Sequence, residues 1–331
     1  EKQILIVDGF DRFSGTGSYT SSTHAIAAQT AKAMNTWGVA YESCTNETVI
    51  NGDVDLKDYD MVWWILGDES TADETFDSIE QDSIISYLKQ GGKLFVSGSE
   101  IAWDLDYKGT TADKAFIHNY LKTVYAADDA GNYMVSGATG SIFENLNFQY
   151  SDDGSEPETY AEDYPDVFST TGGSILALKY GNSQTAAVSF EGTVPEGDTP
   201  CKVMVMGFPF ETISTLISKE TLAGYILRFM GYNVSVDINT ILPEEYILYQ
   251  NYPNPFNPRT TIAYTLNTSA YVELTVFNIR GEQIRNLVQE YQSSGRYEVN
   301  FNGTSLPSGV YVYRLNINHD PVKVKKMILS K

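Results

Sequence analysis

Cysteine is nearly absent from this chain, with two residues, Cys44 and Cys201, in 331. Two thiols cannot build the disulfide framework that staples small exported domains. In the strand order expected below, Cys44 ends one parallel strand and Cys201 begins another, at opposite edges of a sheet, so both are expected to be unpaired. Histidine is equally scarce, with three residues. No run of about eighteen apolar residues occurs, so no membrane-spanning helix is expected. A leader peptide is also missing: the chain opens on Glu1 and reaches an apolar strand pattern within two residues. That start is expected of a processed or trimmed chain with a longer precursor.

Positive charge is the third deficit. Residues 1–240 carry 13 Lys and Arg against 36 Asp and Glu, a net of −23, whereas residues 241–331 carry 9 against 7, a net of +2. The first stretch repels polyanions, which excludes nucleic acid and anionic membrane as its partners. Solubility, cation binding or a saline habitat suits it better. The length is sufficient for two domains, each with its own core.

What is present is a rhythm of buried strands and helices. Apolar runs at 3–7, 39–43, 61–66 and 93–96 are expected to be strands, the first, third and fourth emptying into polar loops. Between them, residues 25–38 are expected to form a helix capped from Ser21, Ser22 or Thr23 and stopped at Gly38. Phe76, Ile79, Ile84, Ile85 and Leu88 mark the inner face of another, closed by Gly91 and Gly92. A third helix is expected over 113–126 and a last one over 212–230, after a strand at 202–207. Short strands at 133–135, 142–150, 175–180 and 186–190 read as a β-rich insertion. Residues 151–166, with seven carboxylates and two prolines, read as a surface loop. The fold class expected is α/β, a doubly wound, mostly parallel sheet, at residues 1–231. Residues 232–245 read as a linker, and the alternating runs of 246–331 as a small all-β, immunoglobulin-like sandwich.

The second domain opens on Tyr252-Pro253-Asn254-Pro255-Phe256-Asn257-Pro258, expected to be a stiff, extended seam because proline lacks an N–H and forces its predecessor into extended backbone. Three further blocks follow in order: Val272 to Gly281; Ser308 to Leu315, containing Gly309 and Tyr311; and Lys325-Lys326-Met327-Ile328-Leu329. Together they resemble the type A C-terminal sorting domain of type IX secretion cargo. The resemblance implies passage through the periplasm to the cell surface or medium, recognition by the type IX machinery, and frequent removal of the domain after transit.

In an open parallel sheet, ligands sit beyond the carboxyl ends of the strands. That rule gathers Asp8, Asp11 and Arg12, then Asp68, Glu69 and Ser70, then Ser99 and Glu100, and finally Glu211 onto one edge. Ser99 stands where a strand-to-helix turn would lift a nucleophile clear of the sheet, with His24 and Glu100 as candidate partners; equally, it is a turn serine. The converging carboxylates suit acid/base work on a glycosidic bond or Ca²⁺, or else helix caps and solvated side chains. Asp152-Asp153-Gly154 opens like a calcium loop without continuing as an EF-hand. Residues 14–18, rich in Ser and Gly, lack the spacing of a phosphate cradle. Trp63 and Trp64, adjacent in a strand, face opposite sides. Trp103 either packs inward or stacks on a sugar face.

Residues 1–231, with Val96-Ser97-Gly98-Ser99-Glu100 at the expected elbow and Phe208-Pro209-Phe210-Glu211 after the closing strand, resemble class I glutamine amidotransferase-like domains. That family uses a cysteine nucleophile and a late histidine-glutamate pair. Here neither cysteine stands at the elbow, and between Ser99 and the linker only His118 remains, so a serine there would lack a positioned base. The resulting expectation is a surface protein that binds or assembles, with itself or with cell-surface glycans as partners. A secreted hydrolase of amide, ester or glycosidic bonds and a filament or sheath subunit are the alternatives.

Overall fold

Apolar runs become strands wherever the chain can bury them on both faces. In the computed structural model of this protein, residues 3–11, 25–71, 74–150, 160, 162–234, 246–266, 270–292, 295–318 and 320–330 are described. The chain divides into two units, Glu1–Val236 and Asp237–Lys331.

The first unit begins with β1 (Ile4–Asp8), α1 (Ala25–Asn35), β2 (Tyr41–Thr45), α2 (Asn46–Ile50), β3 (Met61–Gly67), α3 (Ser78–Lys89) and β4 (Lys93–Gly98). It continues through α4 (Thr111–Phe116), β5 (Thr123–Ala127), β6 (Met134–Gly137), β7 (Asn147–Gln149), β8 (Val167–Thr170), β9 (Ile175–Tyr180), β10 (Thr185–Gly192), β11 (Cys201–Met206) and α5 (Leu216–Phe229). The order β2-β1-β3-β4-β11 is parallel. Beyond β11 the sheet continues antiparallel through β10, β9, β6 and β7, with β8 joining β10 to β5. The expected β-rich insertion is thus an extension of the same sheet. Every residue of β1 and β3 is buried, as strands covered on both faces must be. Trp63 packs on Phe95 and Phe210 at 4.3 and 5.1 Å, while Trp64 meets Phe76 at 5.3 Å on the other face. Cys44 and Cys201 are unpaired. No helix among the described residues is long and apolar enough to cross a membrane.

Several boundaries differ from expectation, each for a local reason. The helix expected over 113–126 stops after a π-helical stretch, Ile117–Leu121, because Lys122 takes left-handed backbone at φ 61°. Thr123–Ala127 then pairs with β8; its Thr, Val and Tyr suit a pleated strand at least as well as a helix. Phe76 precedes α3, whose N-cap Asp77 forms a reciprocal box with Glu80, and Ile79 is 49% exposed instead of facing inward. The last helix starts at Leu216 and not Thr212, because the Thr215 side chain caps the Ser218 N–H. Of the strand expected at 142–150, turns take the first part and only Asn147–Gln149 pairs as a strand. The segment 151–166 is not simply a surface loop: Tyr160, Glu162, Pro165 and Asp166 are buried. Ser21 to Thr23, residues 14–18 and Asp152 to Gly154 lie outside the described residues.

The second unit holds β12 (Ile247–Leu248), β13 (Arg259–Leu266), β14 (Ala270–Asn278), β15 (Gln283–Gln292), β16 (Gly295–Asn302), β17 (Gly309–Ile317) and β18 (Asp320–Leu329). Two sheets, β12-β13-β16 and β15-β14-β17-β18, are all antiparallel. They share one core that includes Ile262, Tyr264, Leu274, Tyr313 and Met327. The stretch from Tyr252 to Pro258 is not an extended seam. Its Tyr252-Pro253 and Asn254-Pro255 bonds are cis, Tyr252 pairs with Thr261, and Phe256 pairs with Leu329. Phe256 is 1% exposed and belongs to the core. The prolines remove donors, but the carbonyl of Pro253 accepts from Asn251 Nδ2 at 3.0 Å and from Thr260 Oγ1 at 2.8 Å.

Candidate functional site

The carboxyl ends of β1, β3, β4 and β11 do bring together most of the acidic residues expected at this edge. Asp8 closes β1 and accepts from the Phe10 N–H at 3.3 Å. The Asp11 N–H donates to Glu69 Oε1, and Asn46 Nδ2 donates to Asp11 Oδ2 at 3.0 Å. Gly67, at φ 57°, turns the chain after β3 where a Cβ would lie 2.5 Å from the Phe10 ring; only glycine meets both conditions cheaply. Ser99 is fully buried, and its hydroxyl donates to the Gly67 carbonyl and to Asp68 Oδ1, both at 3.4 Å.

The strained residue of the β4 turn is Glu100, one position beyond the expected nucleophile. Its φ of 54° is left-handed, a conformation unfavourable for a residue with a Cβ and concentrated at functional turns. Helix begins at Ile101 and becomes π-helical over Trp103–Lys108. The N–H of Ala102, at the head of that helix, donates to Asp166 Oδ2 at 2.7 Å, and that of Trp103 also supports this carboxylate. A developing oxyanion would need such groups; here a buried side chain already holds them.

A fifth segment, unforeseen in the sequence, completes the edge. Tyr160 stacks on Phe10 with ring centroids 6.4 Å apart and donates to Glu211 Oε1 at 2.8 Å. Glu162 accepts from the Tyr164 N–H at 2.9 Å. Burial lifts the Glu211 carboxyl to about 7, against the opposing pull of its hydrogen bonds and of Lys219. Burial, then the nearby Asp68 charge, holds Glu162 well above the carboxylate range, and burial does the same for Asp166. Asp166 Oδ1 and Glu211 Oε2 are buried without a hydrogen-bond partner. A protonated carboxyl tolerates such a place far better than a charged one. The clue in the sequence is Tyr160, a large aromatic residue set within a run of carboxylates, where a purely solvated loop has little use for one.

Arg12 and His24 lie outside the described residues. His118 is engaged elsewhere, with Nε2 2.9 Å from Asp106 Oδ1. Trp103 stacks on Tyr107 at 4.6 Å, beside Tyr125. Among the described residues, no group of three or more His, Cys, Asp or Glu side chains is arranged to hold a metal ion.

The second unit carries the other set of expected residues. Asn254 Oδ1 accepts from the Ile328 N–H at 2.9 Å, and Asn251 donates from its N–H to the Tyr313 hydroxyl at 2.8 Å. Pro255, Asn257 and Pro258 flank Phe256, and the Pro258 carbonyl accepts from the Gly303 N–H at 2.8 Å. Gly281 turns β14 into β15 at φ 79°, and Gly309 opens β17 at φ 156°. Tyr311 is buried and donates to the Pro307 carbonyl at 2.8 Å. Lys325 and Lys326 are exposed on β18. Residues 250–330 match the family model described as the secretion system C-terminal sorting domain. They are a type IX sorting domain.

The sorting domain implies export to the cell surface or extracellular space and recognition by the type IX secretion machinery. No curated protein matches the chain. Among solved structures, the chain is similar to PorZ, an essential bacterial surface component of the type IX secretion system of Porphyromonas gingivalis. The identity is 21%, over 25% of this chain and 11% of that one, with a TM-score of 0.18. A glutamine amidotransferase from Methylobacillus flagellatus is 9% identical over 56% of this chain and 65% of that one, with a TM-score of 0.33. Dimeric latent PorU from Porphyromonas gingivalis is 11% identical over 62% of this chain and 18% of that one, with a TM-score of 0.23. The chain thus spans 11%, 65% and 18% of the lengths of these three.

Proposed function

We propose that this chain is an exported surface or extracellular protein whose N-terminal unit binds or assembles without catalysing a reaction. The strand order β2-β1-β3-β4-β11 fits a flavodoxin-like or amidotransferase-like sheet, and the second unit fits an immunoglobulin-like sandwich. The observation that carries the non-catalytic reading is the β4 turn. Its left-handed residue is Glu100, its serine is fully buried, and Asp166 occupies N–H groups at the head of the following helix. A nucleophile needs exposure and free oxyanion donors; this turn supplies neither to Ser99.

The test is hydrolysis of nitrophenyl esters, γ-glutamyl amides and nitrophenyl glycosides by the purified full chain, beside Ser99→Ala and Glu100→Gln. Rates at the uncatalysed level are expected for all three proteins. Turnover by the wild type that either substitution abolishes, with the fold intact by circular dichroism, would restore the hydrolase reading.

A further inference from the structure

Three aromatic rings lie together on the first unit, Tyr107 at the surface, Trp103 half-buried, and Tyr125 packed against the edge of the main core. Trp103 and Tyr107 come from the π-helical stretch Trp103–Lys108, and Tyr125 from β5. The wider π turn places residues four apart on nearly one face, and the Trp103 and Tyr107 rings accordingly stack at 4.6 Å and 21°. Tyr125 lies 5.1 Å from Tyr107 and 6.0 Å from Trp103. Tyr107 is 55% exposed and Trp103 is half-buried. Lys108 Nζ sits 4.8 Å from the Trp103 ring and 5.1 Å from that of Tyr107.

An exposed ring held in place by two partly buried ones forgoes part of the burial that normally stabilises it and presents a fixed aromatic surface to a ligand. The polar margin is mixed, with the Lys108 ammonium against the rings and carboxylates behind them. Asp106 accepts from the Tyr125 N–H at 2.8 Å and lies beside His118, while Asp128 and Asp129 follow β5. The net charge of −23 over residues 1–240, and not the margin itself, disfavours anionic ligands. Flat apolar faces edged by hydroxyls and carboxylates match a sugar ring, whose C–H face packs on an aromatic plane while its hydroxyls reach the rim.

We infer that Trp103, Tyr107 and Tyr125 form a platform that binds the sugar rings of a neutral polysaccharide. The inference rests on the binding reading above and names its ligand class; the exported location puts such polymers within reach.

The four tryptophans provide the readout. Trp37, Trp63 and Trp64 are at most 4% exposed, so acrylamide quenching of the full chain reports chiefly on Trp103. Laminarin, dextran or hydroxyethylcellulose is expected to protect this fluorescence, and anionic alginate is not. Tyr107→Ala, an exposed position that leaves the fold intact, is expected to raise the half-saturating glucan concentration about tenfold. Trp103→Ala, followed by retardation in native gels containing the same glucans, is expected to weaken binding similarly, and the remote Ile79→Ser is expected to match wild type. Absence of protection by every neutral glucan, equal binding by Tyr107→Ala, or protection produced by raising the protein concentration alone would overturn the platform. Release of reducing ends would instead overturn the non-catalytic reading while leaving protection in place.

Discussion

Thermal unfolding of the N-terminal unit is expected to shift to lower temperature as pH rises from about 5 to about 8. The cause is the buried acid group at the carboxyl edge of the sheet. Glu211 titrates near 7 in the folded protein, against 4.5 when unfolded, and Glu162 and Asp166 are raised well above their ordinary values. The folded chain therefore binds more protons than the unfolded chain throughout that window, so the stability must fall as pH increases. For Glu211 the loss begins near 4.5 and is complete once the pH has passed about 7. It amounts to about 3 kcal/mol from this group alone, a large part of a domain's stability. Glu80, lifted by burial to about 7 within the cap of α3, acts in the same direction. Lowered groups such as Asp113 and Glu196 are more exposed and oppose the trend only at lower pH.

Repulsion among the chain's excess carboxylates would give a slope of the same sign, so the variant is decisive. Glu211→Gln keeps an acceptor for the Tyr160 hydroxyl and cannot ionise. Calorimetry at several pH values is expected to show its slope reduced by about the Glu211 share, with the largest gain over wild type above pH 7. A wild-type transition that rises or stays level between pH 5 and 8, or a variant with the wild-type slope, would contradict the assignment of a protonated carboxyl here.

Much of this edge was legible because a parallel strand announces itself twice. Residues 61–66 and 203–206 are apolar without interruption, and each empties into acidic or aromatic loop residues, so the meeting of Asp8, Asp68, Glu69 and Glu211 follows from topology. The other half of the site comes from a segment whose local signal points the other way. Glu162 and Asp166 are charged residues in an acidic, proline-containing stretch, and nothing short of the fold tells that their carboxyls are covered. Glu100 is a similar case: the turn after β4 was foreseeable, but no local pattern in the sequence singles out Glu100 as the residue that takes the left-handed backbone. The boundary at Lys122 was missed because Thr123 to Ala127 satisfies helix and strand patterns together. Pairing with β8 decides between them.

Phe256→Ala is expected to destabilise the sorting domain by about 3–5 kcal/mol and, with it, to stop export. In the sequence, Tyr252 to Pro258 reads as a stiff, extended seam, which by itself would predict tolerance of any substitution that keeps it extended. The structure gives it a different role. Phe256 is 1% exposed, 5.9 Å from the Phe301 ring, and its backbone both donates to the Ile328 carbonyl and accepts from the Ser330 N–H. The first block of the sorting motif is thereby clasped to the last one on β18. Removing the ring opens a cavity between them that the surrounding backbone cannot close, and the motif's exposed lysines, Lys325 and Lys326, lose the strand that presents them. Fractionation of cells expressing the variant is expected to find the protein held in the periplasm, as for a chain lacking residues 250–330, whereas Tyr252→Ala, at an 83% exposed position, should leave the domain's unfolding temperature almost unchanged. If Phe256→Ala is exported at the wild-type level while its domain is shown to be unfolded, recognition reads the linear motif. The folded clasp would then have no part in sorting.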